Sequence, residues 1–445
     1  MRYFFVGIGG VSMSALAKLL KVQGKQVAGS DVVASKNTHE LSSLGIPVYI
    51  GHTSKNLQQD PVDCLVINGA IADDNPELLY ARRQGIKIVY RENLLAQIAR
   101  HYARVIAVAG CHGKSSTTAM IGTIFRQGGR QPTVHIGAQD NLHLGGKQWF
   151  ITEACEFRKS FLKLKPYIAV ITNVDADHLD CYRDLSEIKQ CFAQFAAQSE
   201  IVIKNASDPN SALLFGKQRT ITFGINYGDV HANNLQTLPQ GGHSFDVVIN
   251  SQIFGMIYQL PRFTVHVPGL HNVANALAAI TCALVCQIGL DSTRHAIANY
   301  RGIARRFQRF ARLGHTPVIL DYAHHPREIA TTIQTAQSLF KKYLLVFQPH
   351  TYTRTLSLWD DFVKVLSTVP HLVIYKTYAA RGKTIVGGRG LDLSRYLKVK
   401  YLATIEKLTD YLHEHAAEYD AIILCGAGDV VSGEFLRKSS FATFD

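Results

Sequence analysis

Apolar runs of strand type alternate with amphipathic helical stretches along most of the chain. Residues 3–6 lead through a glycine-rich turn into an amphipathic stretch at 13–22. The same order recurs where the apolar run 105–109 precedes a helical stretch, and again after the run 318–321. Strands and helices that alternate in this way predict α/β domains, each with a mostly parallel sheet and helices on both faces.

The length of 445 residues and the spacing of these elements predict three domains. We place an N-terminal Rossmann-like domain at residues 1–98, a central P-loop mononucleotide-binding α/β domain at 99–303 and a C-terminal Rossmann-like α/β domain at 304–445. The least regular stretch, 225–265, contains several Gly and Asn residues, so we expect loops and short strands there.

The apolar run 105–109 ends in a loop bounded by glycines. Glycines allow backbone N–H groups to turn toward phosphate oxygens, and the helix that follows adds positive charge at its N-terminus. Lys114 would reach the outer phosphates of a nucleotide, and the Ser115 hydroxyl would bind Mg²⁺. The alternative is an ordinary glycine turn with an exposed lysine. The loop consists of Gly110, Cys111, His112, Gly113, Lys114, Ser115 and Ser116.

A second glycine-rich turn follows the first strand, where Gly7, Gly9 and Gly10 precede Ser12. Asp31 follows at the end of the next strand, at about the distance seen in dinucleotide-binding folds. This pattern fits NAD, or any nucleotide diphosphate bound at a helix N-terminus.

Polar side chains follow two strands of the central segment. Glu153 ends one apolar run, and Asp177 and His178 follow the next. Because ligands of doubly wound sheets bind at the carboxyl ends of strands, we expect these residues to share an edge with the phosphate loop. Their oxygen and nitrogen donors suit Mg²⁺ or Mn²⁺ held jointly with substrate phosphates, although each residue could instead cap a strand end.

Three polar residues open an alanine-rich helix later in the central segment: His271, Asn272 and Asn275. They could contact an adenine edge, or they could cap the helix.

Composition limits the choice of partners. The formal net charge of +13 fits an anionic substrate. The lysines and arginines are dispersed along the chain, so we do not expect the protein to bind nucleic acid. No apolar run approaches membrane-spanning length and the N-terminus does not resemble a signal peptide, so we expect a cytoplasmic protein without membrane insertion. The eight cysteines form no Cys-x-x-Cys pair, which indicates reduced thiols.

Taken together, these motifs resemble those of the Mur ligase family in order and spacing across nearly the whole chain. The stretches that carry the resemblance are 7–14, 110–118, 153–156 with 160–162, 172–180, 223–224, 269–279, 305–308, 321–326, 347–355 and 426–429.

The resemblance implies a ligase of peptidoglycan biosynthesis whose substrates are ATP, UDP-N-acetylmuramate and L-alanine. ATP would convert the lactyl carboxylate of the sugar to an acyl phosphate, and the amine of alanine would displace phosphate. Residues 1–98 would bind the UDP-sugar, 99–303 ATP and 304–445 the amino acid. We expect a monomer or a homodimer.

The resemblance also assigns roles in the central segment. Lys114 and the loop amides would hold the β- and γ-phosphates. Ser115 and Glu153 would bind one Mg²⁺ (or Mn²⁺), and His178 would bind a second ion. The nucleotide site would also include His271, Asn272 and Asn275. The UDP-sugar site would comprise Gly7, Gly9, Gly10, Ser12, Met13, Ser14, Asp31 and Ala70.

In the C-terminal segment, the resemblance implies that Arg306 neutralises the transferring phosphoryl group. Asp321 and Tyr322 would flank the nucleotide, and Tyr322, His324 and Arg354 would orient the amino acid. The residues expected to act in catalysis are Lys114, His178, Arg306 and Asp321.

Five positions depart from the family pattern, and two of them, Cys155 and Arg158, stand where the family often has Asp. Cys111 replaces the usual Thr of the loop, Thr351 stands where many alanine-adding members have Arg, and Gly382 stands where Glu is frequent. Thr351 leaves Arg354 as the matched cation for the substrate carboxylate.

Three other functions are compatible with parts of the pattern. A recycling ligase would attach a murein tripeptide to the same sugar nucleotide. A non-catalytic nucleotide-binding paralogue would keep the fold without turnover. An NAD-dependent dehydrogenase would use the turn at Gly7, but it leaves the phosphate loop and the motif at His178 unexplained.

Overall fold

A computed structural model describes residues 1–59, 61–138, 140–176, 181–214, 216–250, 258–380, 384–433, 435–436 and 442–443. The described strands form three sheets, and parallel strands flanked by helices dominate each of them. The predicted α/β fold class with three domains is therefore confirmed.

The first sheet is parallel throughout its described pairs. Its strands are β1 (Arg2–Val6), β2 (Gln26–Asp31), β3 (Val48–Ile50), β4 (Cys64–Ile67) and β5 (Lys87–Tyr90). The accompanying helices are α1 (Val11–Val22), α2 (Lys36–Ser43), α3 (Pro76–Arg83) and α4 (Arg91–Ala99). The order β3-β2-β1-β4-β5 reverses direction at β1, so the turn that follows β1 lies at the switch point where doubly wound sheets bind ligands.

The second sheet has ten strands in the order β15-β14-β13-β12-β11-β10-β6-β9-β7-β8. They are β6 (Arg104–Ala109), β7 (Thr133–His135), β8 (Leu142–His143), β9 (Trp149–Glu153), β10 (Ile168–Ile171), β11 (Ile201–Asn205), β12 (Arg219–Ile225), β13 (Val230–Thr237), β14 (His243–Ile249) and β15 (Tyr258–Val265). The helices are α5 (Lys114–Gln127), α6 (Leu185–Ala197), α7 (Pro209–Ala212), α8 (His271–Val285) and α9 (Leu290–Ala298).

The stretch 225–265 contains longer strands than the sequence predicted. Strands β13, β14 and β15 are eight, seven and eight residues long and extend the sheet at one end. In β13 most positions after Ala232 are exposed, so polar residues conceal the alternation that usually identifies a strand.

The third sheet has the order β20-β19-β18-β21-β17-β16-β22, in which β16 runs antiparallel to its neighbours. Its strands are β16 (Gln308–Leu313), β17 (Thr316–Asp321), β18 (Tyr343–Gln348), β19 (Leu372–Tyr375), β20 (Lys400–Leu402), β21 (Ala421–Gly426) and β22 (Ala442–Thr443). The helices are α10 (Pro326–Leu339), α11 (Tyr352–Ser357), α12 (Trp359–Leu366), α13 (Gly390–Leu397) and α14 (Ile405–His415).

The chain forms two compact units. Unit 1 comprises Met1–Asn234, Phe245–Phe263 and Ala274–Asn299, and unit 2 comprises Leu235–Ser244, Thr264–Val273 and Tyr300–Asp445. Within unit 1, one buried apolar cluster runs from β1 and α1 through α4 to β6 and α6, so the first two sheets share a continuous core. None of the helices in the described part of the chain combines the length and hydrophobicity needed to traverse a bilayer.

Candidate functional site

The loop between β6 and α5 has a backbone that requires glycine at two positions. Gly110 has φ of 140° and Gly113 has φ of 82°. A Cβ atom at Gly110 would lie 2.0 Å from Thr172 Oγ1, and one at Gly113 would lie 2.5 Å from Asn275 Oδ1. Helix α5 begins at Lys114, directly after the second of these glycines. The glycines thus let the chain turn sharply from the sheet into the helix.

Two residues that follow β10 hold this loop in place. The Asn173 side chain accepts a hydrogen bond from His112 N and donates one to His112 O, both at 2.9 Å. Thr172 Oγ1 also donates to His112 O, at 2.6 Å. The sequence analysis did not assign Thr172 or Asn173 to the site, although both lie in the stretch 172–180 that carries the resemblance.

Lys114 is held inside the loop by a buried acidic partner. Its Nζ lies 2.9 Å from Glu156 Oε1, donates to Cys111 O at 3.1 Å and also contacts Gly110 O. Burial opposes the charged ammonium, but the attraction of the Glu156 carboxylate outweighs it, so the pKa of Lys114 is raised. Glu156 is 2% exposed and was not predicted as a site residue.

The first turn of α5 is suited to an anion. Its N-cap is Gly113, and no described side chain caps the helix. Uncapped amides at a helix N-terminus are donors for phosphate oxygens, and the helix dipole favours negative charge there. Ser115 and Ser116 belong to this turn and are largely buried.

Two of the residues predicted to bind metal, Ser115 and Glu153, lie within the described part of the chain, and both suit a hard cation. Glu153 ends β9 and pairs in register with Val108 on the neighbouring β6, close to the loop. Its carboxylate accepts a hydrogen bond from Gly137 N at 2.5 Å. A carboxylate and the Ser115 hydroxyl are oxygen donors of the kind Mg²⁺ prefers. Asp177 and His178 lie outside the described residues, so their predicted roles stay predictions.

Cys111 is integrated into the loop through its sulfur. Asp175 N donates to Cys111 Sγ at 3.1 Å, and the thiol donates to Asp175 O at 3.4 Å. The thiol therefore makes the kind of hydrogen bonds that a hydroxyl would make at this position. His112 Nε2 lies 3.6 Å from Asp175 Oδ2, so both loop residues face the segment after β10.

The residues at the start of α8 are placed differently from one another. Asn275 lies against the phosphate loop, with its Oδ1 3.2 Å from Thr117 Oγ1. His271 is the first residue of α8 in unit 2 and is exposed. Asn272 is buried and donates to Pro268 O at 2.7 Å, which is a local contact at the start of the helix.

The glycine-rich turn after β1 is closed by Asp31. Gly9 N donates to Asp31 Oδ2 at 2.8 Å, and a Cβ atom at Gly9 would lie 2.9 Å from the same oxygen. Gly7 has φ of 77°, and Gly10 is the uncapped N-cap of α1. This arrangement again presents helix amides to an anion.

The other residues predicted for the UDP-sugar site differ in exposure. Met13 and Ser14 are each 1% exposed, so their side chains pack inside unit 1 and only backbone atoms could contact a ligand. Ser14 Oγ accepts from Asn141 Nδ2 at 2.8 Å. Ala70 is exposed after β4, and its N–H donates to Asn68 Oδ1.

Ser12 joins a hydrogen-bond chain that crosses from the first sheet to the second. Its Oγ lies 3.1 Å from His135 Nε2 and accepts from Arg91 at 3.3 Å. His135 Nδ1 lies 2.9 Å from Thr152 Oγ1, next to Glu153 in β9. Burial lowers the pKa of His135 to about 3, assisted by Arg91, so the imidazole is neutral.

In unit 2, Arg306, Asp321 and Tyr322 lie together. The Arg306 guanidinium lies 5.7 Å from the centre of the Tyr322 ring. The Asp321 carboxylate accepts hydrogen bonds from Phe307 N at 3.0 Å and Ala323 N at 2.8 Å. These bonds hold the backbone next to Arg306 and next to Tyr322. Burial raises the pKa of Asp321 to about 6, and the positive charge of Arg306 opposes that rise.

His324 and Arg354 meet around a residue that the sequence analysis missed, His350. Arg354 Nη1 donates to His350 Nδ1 at 3.0 Å, and the His324 and His350 rings are 5.5 Å apart. Burial lowers the pKa of His350 to about 4, which keeps Nδ1 available as an acceptor. Glu328, also missed, accepts from His324 N at 3.1 Å and lies 3.5 Å from Arg306 Nη1.

Thr351 has a local structural role. It is the N-cap of α11, the helix that carries Arg354, and its hydroxyl accepts from Arg354 N at 3.4 Å. The start of this helix thus helps to position Arg354. Gly382 and its neighbour Arg381 lie outside the described residues.

The fold and these groups of residues define a class of protein. Unit 1 combines two glycine turns at the carboxyl ends of parallel strands, one of which has the lysine and serine of a phosphate loop. This is the architecture of a nucleotide-binding α/β protein.

Comparison with known families specifies the class further. Residues 2–103 match the model described as Mur ligase family, catalytic domain; residues 108–283 match the Mur ligase middle domain; and residues 305–428 match the Mur ligase, glutamate ligase domain. The chain belongs to the Mur ligase family, as the sequence resemblance indicated.

Curated relatives and solved structures agree with this family. UDP-N-acetylmuramate–L-alanine ligase of Clostridium perfringens is 38% identical over 454 residues, which is 98% of each chain. The enzyme of the same name from Caldicellulosiruptor saccharolyticus is 38% identical over 96% of each chain. The crystal structure of UDP-N-acetylmuramate–alanine ligase from Thermotoga maritima is 28% identical, with a TM-score of 0.83 over 98% of this chain and 99% of that one. A murein peptide ligase from Psychrobacter arcticus shares the fold at 23% identity, with a TM-score of 0.72 over 98% of each chain.

Proposed function

We propose that this protein joins L-alanine to the lactyl carboxylate of UDP-N-acetylmuramate at the expense of ATP, a step in peptidoglycan synthesis. The observation that carries the proposal is the phosphate loop with Lys114 and Glu153, set in a chain that matches alanine-adding ligases over almost its whole length. The proposal includes a cytoplasmic location, because ATP is a cytoplasmic nucleotide.

The central chemical problem is repulsion, because a negatively charged carboxylate must approach a negatively charged triphosphate. In the proposed reaction, a carboxylate oxygen of the sugar attacks the γ-phosphorus, ADP leaves, and an acyl phosphate forms. The alanine amine then attacks the acyl carbon, phosphate leaves, and the amine loses its proton. Fixed positive charge around the phosphoryl group is the main source of catalysis in such a step.

The residues of unit 1 would meet this demand in the following way. Lys114 and the amides of Gly113, Ser115 and Ser116 would bind the β- and γ-phosphates. Bound Mg²⁺ (or Mn²⁺) would neutralise phosphate charge, with Ser115 and Glu153 as its protein ligands and His178 as the predicted ligand of a second ion. Lys114 would exchange its contact with Glu156 for the phosphates, since one ammonium group cannot serve both fully.

The other substrates are assigned to the remaining groups of residues. We propose that residues 1–98 bind the UDP-sugar, with its diphosphate at the Gly7–Gly10 turn, that 99–303 bind ATP and that 304–445 bind alanine. In the last segment, Arg306 would neutralise the phosphoryl group beside Asp321 and Tyr322. His324 and Arg354 would orient alanine, and the position of His350 between them adds it to this group.

The test is ADP release from the purified protein with each substrate omitted in turn. We expect ADP only when ATP, UDP-N-acetylmuramate, L-alanine and Mg²⁺ are all present, because the acyl phosphate forms on the sugar and is drawn off by the amine. ATP hydrolysis that does not depend on the sugar nucleotide would overturn the proposal. Chelation of Mg²⁺ serves as the control for metal dependence.

A further inference from the structure

A cleft of about 700 Å³ lies in unit 1 at the edge of the second sheet opposite the phosphate loop. Arg104 and Trp149 begin β6 and β9 and are register partners, Tyr167 precedes β10, and Arg219 begins β12. These are the amino ends of parallel strands, whereas the phosphate loop follows the carboxyl end of β6. The cleft is therefore separate from the site proposed for ATP.

Arg104 is fixed in the cleft by aromatic rings. Its guanidinium carbon lies 4.8 Å from the centre of the Tyr167 ring and 5.3 Å from the centre of the Trp149 ring. Stacking on rings uses the faces of a guanidinium and leaves its N–H groups in the ring plane available as donors. The rings thus hold a cation in place without neutralising it.

Arg130 and Arg219 add two further guanidinium groups, and no acidic residue is among the described residues that line the cleft. Apart from the ring contacts of Arg104, the described residues provide no hydrogen-bond or ion-pair partner for the side chains of Arg104, Arg130 and Arg219. Arg104 and Arg130 both exert a positive field on Cys286, where burial nevertheless raises the thiol pKa to about 12. Among the described residues, none therefore forms an ion pair that offsets the positive charge of the cleft.

We propose that this arginine cleft binds an oligophosphate group, either as inorganic polyphosphate or as the phosphate chain of a nucleotide. Guanidinium groups pair with phosphate oxygens through two parallel hydrogen bonds, and three of them match a chain of phosphates better than a single one. The volume is in the range of small-molecule sites. The site is additional to the ligase function and does not depend on it.

A different role for the same residues is to offset helix dipoles. Helix α5 ends at Gln127 and α8 ends at Val285, near Arg130 and Cys286, and arginines near helix C-termini stabilise the last carbonyls. In that case the cleft would have no ligand, so binding has to be measured directly.

Trp149 provides a local signal, because the chain contains only two tryptophans. In a Trp359→Phe background, Trp149 is the remaining tryptophan, and its fluorescence can be followed during titration with tripolyphosphate in metal-free buffer at low salt. We expect a saturable change that weakens as salt is added, since the contacts are charged and partly exposed. The same titration by calorimetry measures binding without relying on fluorescence.

Charge-removing variants decide whether the cleft is the site. Arg130→Gln with Arg219→Gln should weaken tripolyphosphate binding at Trp149 by about tenfold or more, whereas Arg83→Gln, the same change on exposed α3, should leave it unchanged. An unchanged response in the double variant, or no binding by either method, would overturn the proposal. Repeating the titration with cytidine triphosphate separates the two sources, since tighter binding than that of tripolyphosphate would identify a nucleotide as the ligand.

Discussion

At the scale of single residues, the pair of Lys114 and Glu156 is the least expected feature of the site. The sequence predicted that Lys114 reaches the phosphates of a nucleotide, yet its Nζ lies 2.9 Å from a carboxylate that is 2% exposed. Substitution of Lys114 alone therefore removes the cation that faces a buried carboxyl group, and it tests stability as well as chemistry.

We expect Lys114→Met to lower the free energy of unfolding by about 3 kcal/mol, because the buried Glu156 carboxyl group loses the ammonium group that stabilises it. Lys114→Met combined with Glu156→Gln should recover part of that loss, since the amide carries no charge. Urea unfolding of the wild type, both single variants and the double variant gives the coupling free energy between Lys114 and Glu156. Both variants that lack Lys114 should lose ATP turnover by about 100-fold or more. A double variant no more stable than Lys114→Met would contradict the importance of this ion pair.

His135 gives a pH dependence of known sign. Its folded pKa of about 3 lies below the ordinary value of 6.5, so the unfolded chain binds the proton more tightly between those values. The stability that neutral His135 contributes is present above pH 6.5 and is lost as the pH falls toward 3. At pH 4 the loss relative to pH 7 would be about 3 kcal/mol.

His135→Gln removes the titrating group, so the loss of stability between pH 7 and pH 4 should be smaller than in the wild type by that amount. The measurement is the urea midpoint of unfolding at each pH. Because the substitution also affects stability at pH 7, the two proteins are compared by the slope of the midpoint against pH. His39→Gln, on the exposed surface of α2, is the control and should keep the wild-type slope. Parallel pH curves for His135→Gln and the wild type would rule out this role.

At the scale of elements, the phosphate loop illustrates what can be predicted from sequence. The order of strand, loop and helix and the glycine positions identify the loop, because positive φ and close packing require Gly. Glu156, Thr172 and Asn173 lie in stretches that carry the family resemblance, but they were not assigned to the site, because only the fold brings them into contact with the loop. His135 and His350 were missed for the same reason, since an isolated histidine is compatible with many environments.

Gly110→Ala should distort the phosphate loop so that it no longer binds ATP. A Cβ atom there would overlap Thr172 Oγ1 and approach Asn173 N and O at 3.1 Å, in a backbone with φ of 140°. We expect a cost of about 3 kcal/mol or more in stability and the loss of ATP binding, measured with a fluorescent ATP analogue.

Gly24→Ala is the matched control for Gly110→Ala. Gly24 also has positive φ, of 75°, but a Cβ atom there meets nothing within 4 Å. Strain alone should cost about 1 kcal/mol, and nucleotide binding should be unchanged. Equal effects of the two substitutions would show that backbone strain, rather than the fit of the loop against the segment after β10, decides the outcome.

At the scale of the whole molecule, the proposed function divides its work between two units. The phosphate loop and the glycine turn after β1 belong to unit 1. Unit 2 contains the residues Arg306, Asp321, His324 and Arg354. The order of motifs along the chain predicted the family and the fold, but it did not predict that the first two sheets share one core. That result depends on packing between α1, α4 and the second sheet.

The division of labour predicts separate kinetic effects. Arg354→Gln should raise the KM for alanine about tenfold or more and leave the KM for ATP unchanged, because it removes the cation proposed to bind the alanine carboxylate. Arg395→Gln, on an exposed position of α13, is the matched control and should alter neither value. A rise in the KM for ATP alone would reassign Arg354 to the nucleotide.

The most direct test of the central claim is the mass of the product formed from UDP-N-acetylmuramate and ATP in an equimolar mixture of L-alanine, glycine, L-serine and murein tripeptide. We expect UDP-N-acetylmuramoyl-L-alanine as the main product, formed together with ADP and phosphate. A product that carries the tripeptide would make the protein a recycling ligase. The absence of any amide product while ATP is bound would contradict the account and indicate a non-catalytic nucleotide-binding protein.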